Sequence, residues 1–152
     1  ECYDDVRELL LNFRERVHKE KFIDGVRTVI NRFEAQANVE ASLRVVERGP
    51  ELTERQKVQV IFIIQEALSN VRKHAHASHV NVVVENYEDL RVVVEDDGVG
   101  IDEKLVESRK GRHVGLSIMS ERASRIGAEV TVERASDEGG TRVVLFLAAK
   151  DR

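Results

Sequence analysis

Cysteine, proline and tryptophan are scarce in this chain, which has one Cys, one Pro and no Trp among 152 residues. The lone Cys2 cannot form an internal disulfide, so a disulfide-stapled scaffold and a zinc cluster built from cysteines are excluded. The apolar run at residues 60–64 is far too short to span a bilayer, and no signal-peptide pattern opens the sequence. We therefore expect a reducing, cytoplasmic setting.

Positive charge is not in excess either. The 24 Lys and Arg against 28 Asp and Glu give a formal net charge of -4, so no basic field indicates binding to nucleic acid. Hydrophobic residues make up 41% and charged residues 34%, which is typical of a globular protein. At this length we expect one domain with a sizeable core.

Apolar residues recur at helical spacing in some segments and alternate with polar residues in others. Helices are predicted over residues 4–18, 24–37, 54–74 and 115–126, and strands over 39–45, 80–85, 90–95, 129–134 and 141–147. Residues 102–114 have little apolar content and predict a mobile loop, and the polar joint at 19–21 is a candidate domain boundary. This order predicts an α/β (α+β) two-layer sandwich, with helices on one face of a mixed sheet.

The stretch from Glu95 to Ile101 places three acids and two spaced glycines directly after a run of β-formers. A carboxylate fixed at a strand end, such as Asp96, is suited to accept a hydrogen bond from an exocyclic amine like that of adenine. Gly98 and Gly100 would let a flat ligand approach the backbone closely, because glycine has no Cβ. An ordinary β-turn is the alternative, since Asp and Gly are the commonest turn residues.

The long predicted helix begins with a capping box, Thr53 to Gln56, and its projection separates two faces. Opposite the apolar stripe lie residues that suit phosphate chemistry. An asparagine oxygen suits Mg²⁺, a lysine reaches a phosphate, and a glutamate can act as a base or orient a water. The alternative is a solvated face. These residues are Glu66, Asn70, Lys73 and His74.

Two further positions fit a nucleotide site. His113 and Gly115 lie where the predicted loop becomes a helix, and the N–H groups at a helix N-terminus favour phosphate. The hydroxyl of Thr141, after Gly140, is placed to reach a purine through a water. Each has an ordinary alternative: a loop histidine, and a hairpin glycine followed by a strand threonine.

Four segments in this order resemble the asparagine box, the two glycine boxes and the closing Gly-Thr of the GHKL ATPases. The segments are residues 65–75, 96–101, 113–123 and 139–141. The Met-x-Glu-Arg-Ala run at 119–123 resembles the subgroup of sensor histidine kinases related to nitrate/nitrite sensors and membrane-fluidity thermosensors. The resemblance covers residues 20–148 and implies the Bergerat fold, which binds Mg·ATP under a flexible lid.

The resemblance implies a role for each matching residue. Asp96 would hold the adenine amine, Asn70 would bind Mg²⁺, and Glu66 would lie near the γ-phosphate. Lys73 and His74 would lie along the phosphates, and Gly98 and Gly100 would let the nucleotide approach the backbone closely. His113, Gly115 and Leu116 would lie where the lid meets its closing helix, and Thr141 would support the adenine-bound water. Glu66 and Lys73 are thus the expected catalytic residues, and residues 102–114 the expected lid.

The resemblance also implies a division of the chain. Residues 1–20 resemble the end of a dimerisation and phosphotransfer helix, and 21–152 the ATP-binding catalytic domain of a two-component sensor histidine kinase. Partners would be that phosphotransfer domain and a response regulator, in a homodimeric full-length protein that is either cytoplasmic or membrane-anchored with this domain inside. The chain departs from the family in lacking the phosphoacceptor histidine box, and in having Val114 where an aromatic residue is common.

Other functions remain open at this point. A hydrolysing GHKL ATPase or an anti-sigma-factor serine kinase would share the same boxes, although the 119–123 run and the first predicted helix argue against both. A module that senses nucleotide without chemistry is a third alternative, against which Glu66, Asn70 and Asp96 together argue. The stimulus and the cognate regulator are not encoded in this sequence.

Overall fold

The computed structural model describes residues 22–98 and 110–152. The predicted helix over 4–18, the boundary at 19–21 and residues 102–109 of the predicted loop lie outside the described residues. In the described part, no helix is long and apolar enough to cross a membrane.

Helices and strands follow the predicted order. The helices are α1 (22–37), α2 (Glu54–Asn70) and α3 (Lys110–Ser124), and the strands are β1 (Glu40–Glu47), β2 (His79–Asn86), β3 (Leu90–Asp96), β4 (Glu129–Ser136) and β5 (Gly139–Leu147). A π turn, Val71–Ala75, continues α2, and a 3₁₀ turn, Ala149–Asp151, follows β5.

The five strands form one mixed sheet in the order β1-β2-β3-β5-β4. Only β1 and β2 pair in parallel, and the other neighbours are antiparallel. The helix α2 therefore lies in the crossover between the two parallel strands, as a parallel pair requires. The predicted α+β sandwich with a mixed sheet is confirmed.

Alternate strand residues and the apolar stripes of the helices share one buried core, which follows from the period of two along a strand. In the central strands, Val82, Val84, Leu90, Val92 and Leu147 are at most 2% exposed. The helix residues buried in the same cluster are Phe22, Val26, Ile30, Phe33, Val60, Ile63, Ile64, Ala67, Leu68, Met119 and Ala123.

The start of α2 has the predicted capping box. Thr53 Oγ1 accepts the N–H of Gln56 at 3.2 Å, and Gln56 Oε1 accepts the N–H of Thr53 at 2.9 Å. These reciprocal bonds satisfy backbone donors that the first turn leaves without intrahelical partners. The capping box therefore fixes where α2 begins, and the candidate site residues lie at the other end of the same helix.

Two helix boundaries differ from the prediction by four residues or more. The α-helical hydrogen bonding of α2 ends at Asn70, and the next five residues form a π turn rather than α-helix. Helix α3 begins at Lys110, not at Gly115, so residues 110–114 are helical where a loop was expected. Low apolar content was a poor guide there, because Lys and Arg are good helix formers without burial.

Candidate functional site

The end of β3 presents a buried carboxylate, as the sequence predicted. Asp96 is 4% exposed, and its Oδ1 accepts the backbone N–H of Gly98 at 2.8 Å. This bond fixes the direction of the carboxylate at the edge of the sheet. A carboxylate has about four lone-pair sites, so holding Gly98 is compatible with accepting a ligand amine as well.

Thr141 lies directly opposite Asp96 in the pairing of β3 with β5. The threonine is 7% exposed, and its Oγ1 has no hydrogen-bond partner among the residues that the structure describes. A buried hydroxyl without a partner costs about 1–3 kcal/mol in proteins. A ligand or a bound water at this position would supply the missing hydrogen bond.

Gly140 allows these two strand ends to approach each other. Its φ is +82°, and a Cβ at this position would lie 2.3 Å from the carbonyl oxygen of Asp96. Its N–H donates to the carbonyl oxygen of Gly98 at 2.9 Å. Glycine is therefore required at residue 140 for both backbone conformation and space.

The end of α2 supplies the second half of the candidate site. Glu66 and Asn70 are half-buried on the helix, and Lys73 is exposed in the π turn. The projection that grouped all four polar residues assumed 3.6 residues per turn, which does not hold beyond Asn70. Single π turns inside or at the end of α-helices occur frequently at functional sites.

Helix α3 packs beside this face of α2. The guanidinium of Arg122 lies 4.1 Å from the centroid of the Phe62 ring, one helical turn before Glu66. Cation–π contacts of this kind contribute about 0.5–1 kcal/mol at exposed sites. The contact holds α3 against the half of the site formed by α2, and the sequence analysis did not single out either residue.

The neighbouring acid, Asp97, was quoted in the glycine-rich stretch but given no role. Its Oδ1 accepts the backbone N–H groups of Ser78 at 2.8 Å and His79 at 3.0 Å. The His79 N–H is the largest cause that lowers the pKa of Asp97; burial opposes it, and the Ser78 N–H and the His79 ring lower it further. The sequence feature that could have drawn attention to Asp97 is that it is a second aspartate directly after Asp96.

Other predicted residues are placed only in part. Gly100 lies outside the described residues. His74 belongs to the π turn, and His113, Gly115 and Leu116 belong to α3, as backbone positions whose side chains are not described. Gly115 is inside α3, so the predicted start of a helix at Gly115 is wrong.

Most of the chain matches a known protein family. Residues 55–151 match the family described as histidine kinase-, DNA gyrase B-, and HSP90-like ATPase. The sensor protein NarQ homolog of Haemophilus influenzae is 31% identical over 147 residues, covering 95% of this chain and 25% of that protein. The nitrate/nitrite sensor protein NarQ of Escherichia coli K12 is 32% identical over 152 residues, covering 99% and 26%.

A solved structure supports the fold. The blue-light activated histidine kinase of Erythrobacter litoralis superposes with a TM-score of 0.66 at 22% identity, covering 84% of this chain and 44% of that chain. The chain belongs to the histidine kinase-, DNA gyrase B-, and HSP90-like ATPase family, and the likeness to the blue-light activated kinase shows that the two share a fold. It spans about a quarter of the length of the curated relatives it matches.

The crowding at Gly140 generates a stability prediction. Gly127 has a similar φ of +74°, but a Cβ there would be 3.6 Å from its nearest neighbours. We expect Gly127→Ala to lower the free energy of unfolding by about 1–2 kcal/mol, the cost of a left-handed alanine. Gly140→Ala adds a backbone clash and should cost more, measured by urea denaturation of both variants. Equal losses would contradict the close approach of residue 140 to Asp96.

Proposed function

We propose that this chain binds Mg·ATP in a sensor histidine kinase that transfers the γ-phosphoryl to a histidine of its phosphotransfer domain. A response regulator then receives the phosphoryl group on an aspartate. The observation that carries the proposal is the pairing, at one end of the sheet, of the buried Asp96 with Thr141, whose hydroxyl has no partner among the residues that the structure describes. The family membership of residues 55–151 supports ATP as the ligand.

Adenine recognition is assigned to the strand ends. Asp96, held by the Gly98 N–H, accepts a hydrogen bond from the exocyclic amine of adenine. Thr141 completes its hydrogen bonding through a water on the purine. Gly98 and Gly100 admit the flat base close to the backbone, because a Cβ is absent at both positions.

The phosphate end is assigned to the end of α2. Asn70 supplies the protein ligand to Mg²⁺, and Glu66 lies near the γ-phosphate. In the described residues, no group of three or more His, Cys, Asp or Glu could hold a metal. Asn70 as a single protein ligand fits Mg²⁺, which takes one or two protein ligands and completes its shell with waters and substrate phosphates. The ion supplies charge neutralisation on the phosphate oxygens.

The other residues position the nucleotide. Lys73 and His74 lie along the phosphates, while His113, Gly115 and Leu116 belong to the helix that closes over them. Phosphoryl transfer needs little covalent chemistry from the protein, so the gain comes from alignment and from stabilisation of charge. Glu66 orients or deprotonates the acceptor imidazole of the phosphotransfer domain.

The proposal includes the division of the chain and its setting. Residues 1–20 end the dimerisation and phosphotransfer helix, and residues 21–152 form the catalytic domain. The full-length protein is a homodimer with this domain in the cytoplasm, where its ATP is available. Nucleic acid is not a partner in this proposal.

The assignment of Asp96 is tested by nucleotide affinity. We expect Asp96→Ala to weaken ATP binding by about ten- to a hundred-fold, because a hydrogen bond to a charged group contributes roughly 1.5–3 kcal/mol. Isothermal titration calorimetry measures the change on the folded variant. Glu88→Ala, which removes an exposed acid at the opposite end of β3, is the matched control and should bind as the parent chain does. Unchanged affinity in Asp96→Ala would remove Asp96 from the adenine site.

The assignment of Asn70 predicts a change in metal dependence. Asn70→Ala should reduce the gain in ATP affinity that Mg²⁺ gives, while adenosine binding stays near its original value. Titrations of ATP with Mg²⁺ and with EDTA measure that gain. Asn31→Ala, an exposed asparagine on α1, is the control. A full Mg²⁺ effect in Asn70→Ala would show that the amide is not a ligand.

Phosphotransfer is tested with radiolabelled ATP. We expect no stable phosphohistidine on this chain alone, since none of its five histidines has the setting of an acceptor. Label should appear on a separately supplied phosphotransfer bundle of the parent kinase, slowly, because the covalent tether that raises effective concentration is missing. A bundle with its acceptor histidine replaced by alanine is the control. Acid-labile, base-stable label on the isolated chain would overturn the proposal.

A further inference from the structure

One carboxylate beside the candidate site makes all of its described contacts with a single short segment. Asp97 Oδ1 accepts the N–H groups of Ser78 and His79, at 2.8 and 3.0 Å. Asp97 Oδ2 lies 3.3 Å from His79 Nδ1, and the Asp97 N–H donates to the carbonyl oxygen of His79 at 3.3 Å. The side chain and backbone of Asp97 thus hold both residues.

The two segments joined by Asp97 belong to opposite ends of the nucleotide site. Residues 78 and 79 follow the π turn that carries Lys73, which itself follows Asn70. Asp97 stands between Asp96 and Gly98 in the chain. The paired residues of β2 and β3 end at Val80 and Asp96. The contacts of Asp97 with His79 therefore continue the connection between these two strands by one residue.

A third strand supports the same segment. The backbone N–H of Glu40 donates to the carbonyl oxygen of Ser78 at 3.2 Å. The Glu40 carboxylate lies 3.0 Å from His79 Nε2. The segment is therefore held by β1 on one side and on the other by Asp97, which directly precedes Gly98 at the end of β3.

We propose that Asp97 is a positioning residue that sets the distance between the phosphate end and the adenine end of the site. It holds the connection after α2 against the end of β3. Asn70 and Lys73 then reach the phosphates of the same nucleotide whose adenine contacts Asp96. This inference rests on the proposed function, because it concerns nucleotide binding at that site.

Simple electrostatics makes the opposite prediction. Asp97 is an acid near a site for a polyanion, so removing its charge would strengthen nucleotide binding if charge alone mattered. A positioning role requires that the same change weaken binding of the complete nucleotide. The sign of the effect separates the two explanations.

The experiment compares two ligands on the 152-residue chain. AMPPNP with Mg²⁺ engages both ends of the site, whereas adenosine engages only the adenine end. We expect Asp97→Ala to bind AMPPNP about ten-fold more weakly, the scale of one net hydrogen bond, and adenosine within about two-fold of the parent chain. Asp97→Asn should recover most of the loss, because its amide oxygen can accept the same N–H groups.

A matched control separates positioning from general destabilisation. Asp89 Oδ1 accepts the N–H of Ala149 at 2.7 Å, a comparable carboxylate bond at the opposite end of β3. Asp89→Ala should lower the melting temperature as Asp97→Ala does, and leave both affinities unchanged. Should Asp97→Ala not fold, Asp97→Glu keeps the charge but displaces the acceptor, and should show the same selective loss for AMPPNP.

The outcomes are distinct. Equal loss for both ligands, or AMPPNP binding that is unchanged or tighter, would overturn the role of Asp97. If the parent chain itself binds no AMPPNP, the proposed function fails and not merely this inference. Amide exchange gives a second readout, because the Ser78 and His79 N–H groups should exchange faster in Asp97→Ala than in Asp89→Ala.

Discussion

The register of β3 between β2 and β5 is the constraint on which the site depends. Because side chains alternate along a strand, the register that buries Val92 and Val94 also turns Asp96 inward. A slip of one residue would turn Val92 and Val94 away from the core and bring Arg91 and Glu95 onto its face. Core burial therefore fixes the position of the carboxylate, and the same register places Thr141 opposite it. Hydrophobic packing and ligand recognition are set by one pairing.

Helix α2 makes a second connection between stability and function. Its apolar stripe packs on the sheet, while its polar residues near the C-terminus face the candidate phosphate end. The capping box at Thr53 fixes where the helix starts, and the π turn changes its rotation after Asn70. Residues before and after that point are consequently presented at different angles. The same helix can therefore present polar side chains in two directions.

The sequence was a good guide wherever burial imposes a period. Strand positions and the cap at Thr53 follow from local rules that the structure obeys. The sequence was a poor guide where hydrogen bonding decides between α-helix and π-helix, as in the π turn after Asn70. It was also a poor guide where polar residues form a helix, as at Lys110. The role of Asp97 was also missed, because its partners lie 18 and 19 residues away and no local pattern reveals them.

Partnerless buried polar atoms need a structural context before they indicate a ligand. Two such atoms occur in the described residues, Thr141 Oγ1 and Gln59 Oε1. Both incur a desolvation cost, so the cost alone does not distinguish a site from a local defect of packing. Thr141 differs because a fixed buried carboxylate lies opposite it, and because Gly140 brings the two strand ends unusually close. Convergence of a fixed acceptor, a hydroxyl and a glycine backbone is the reason we propose this end of the sheet as the purine site.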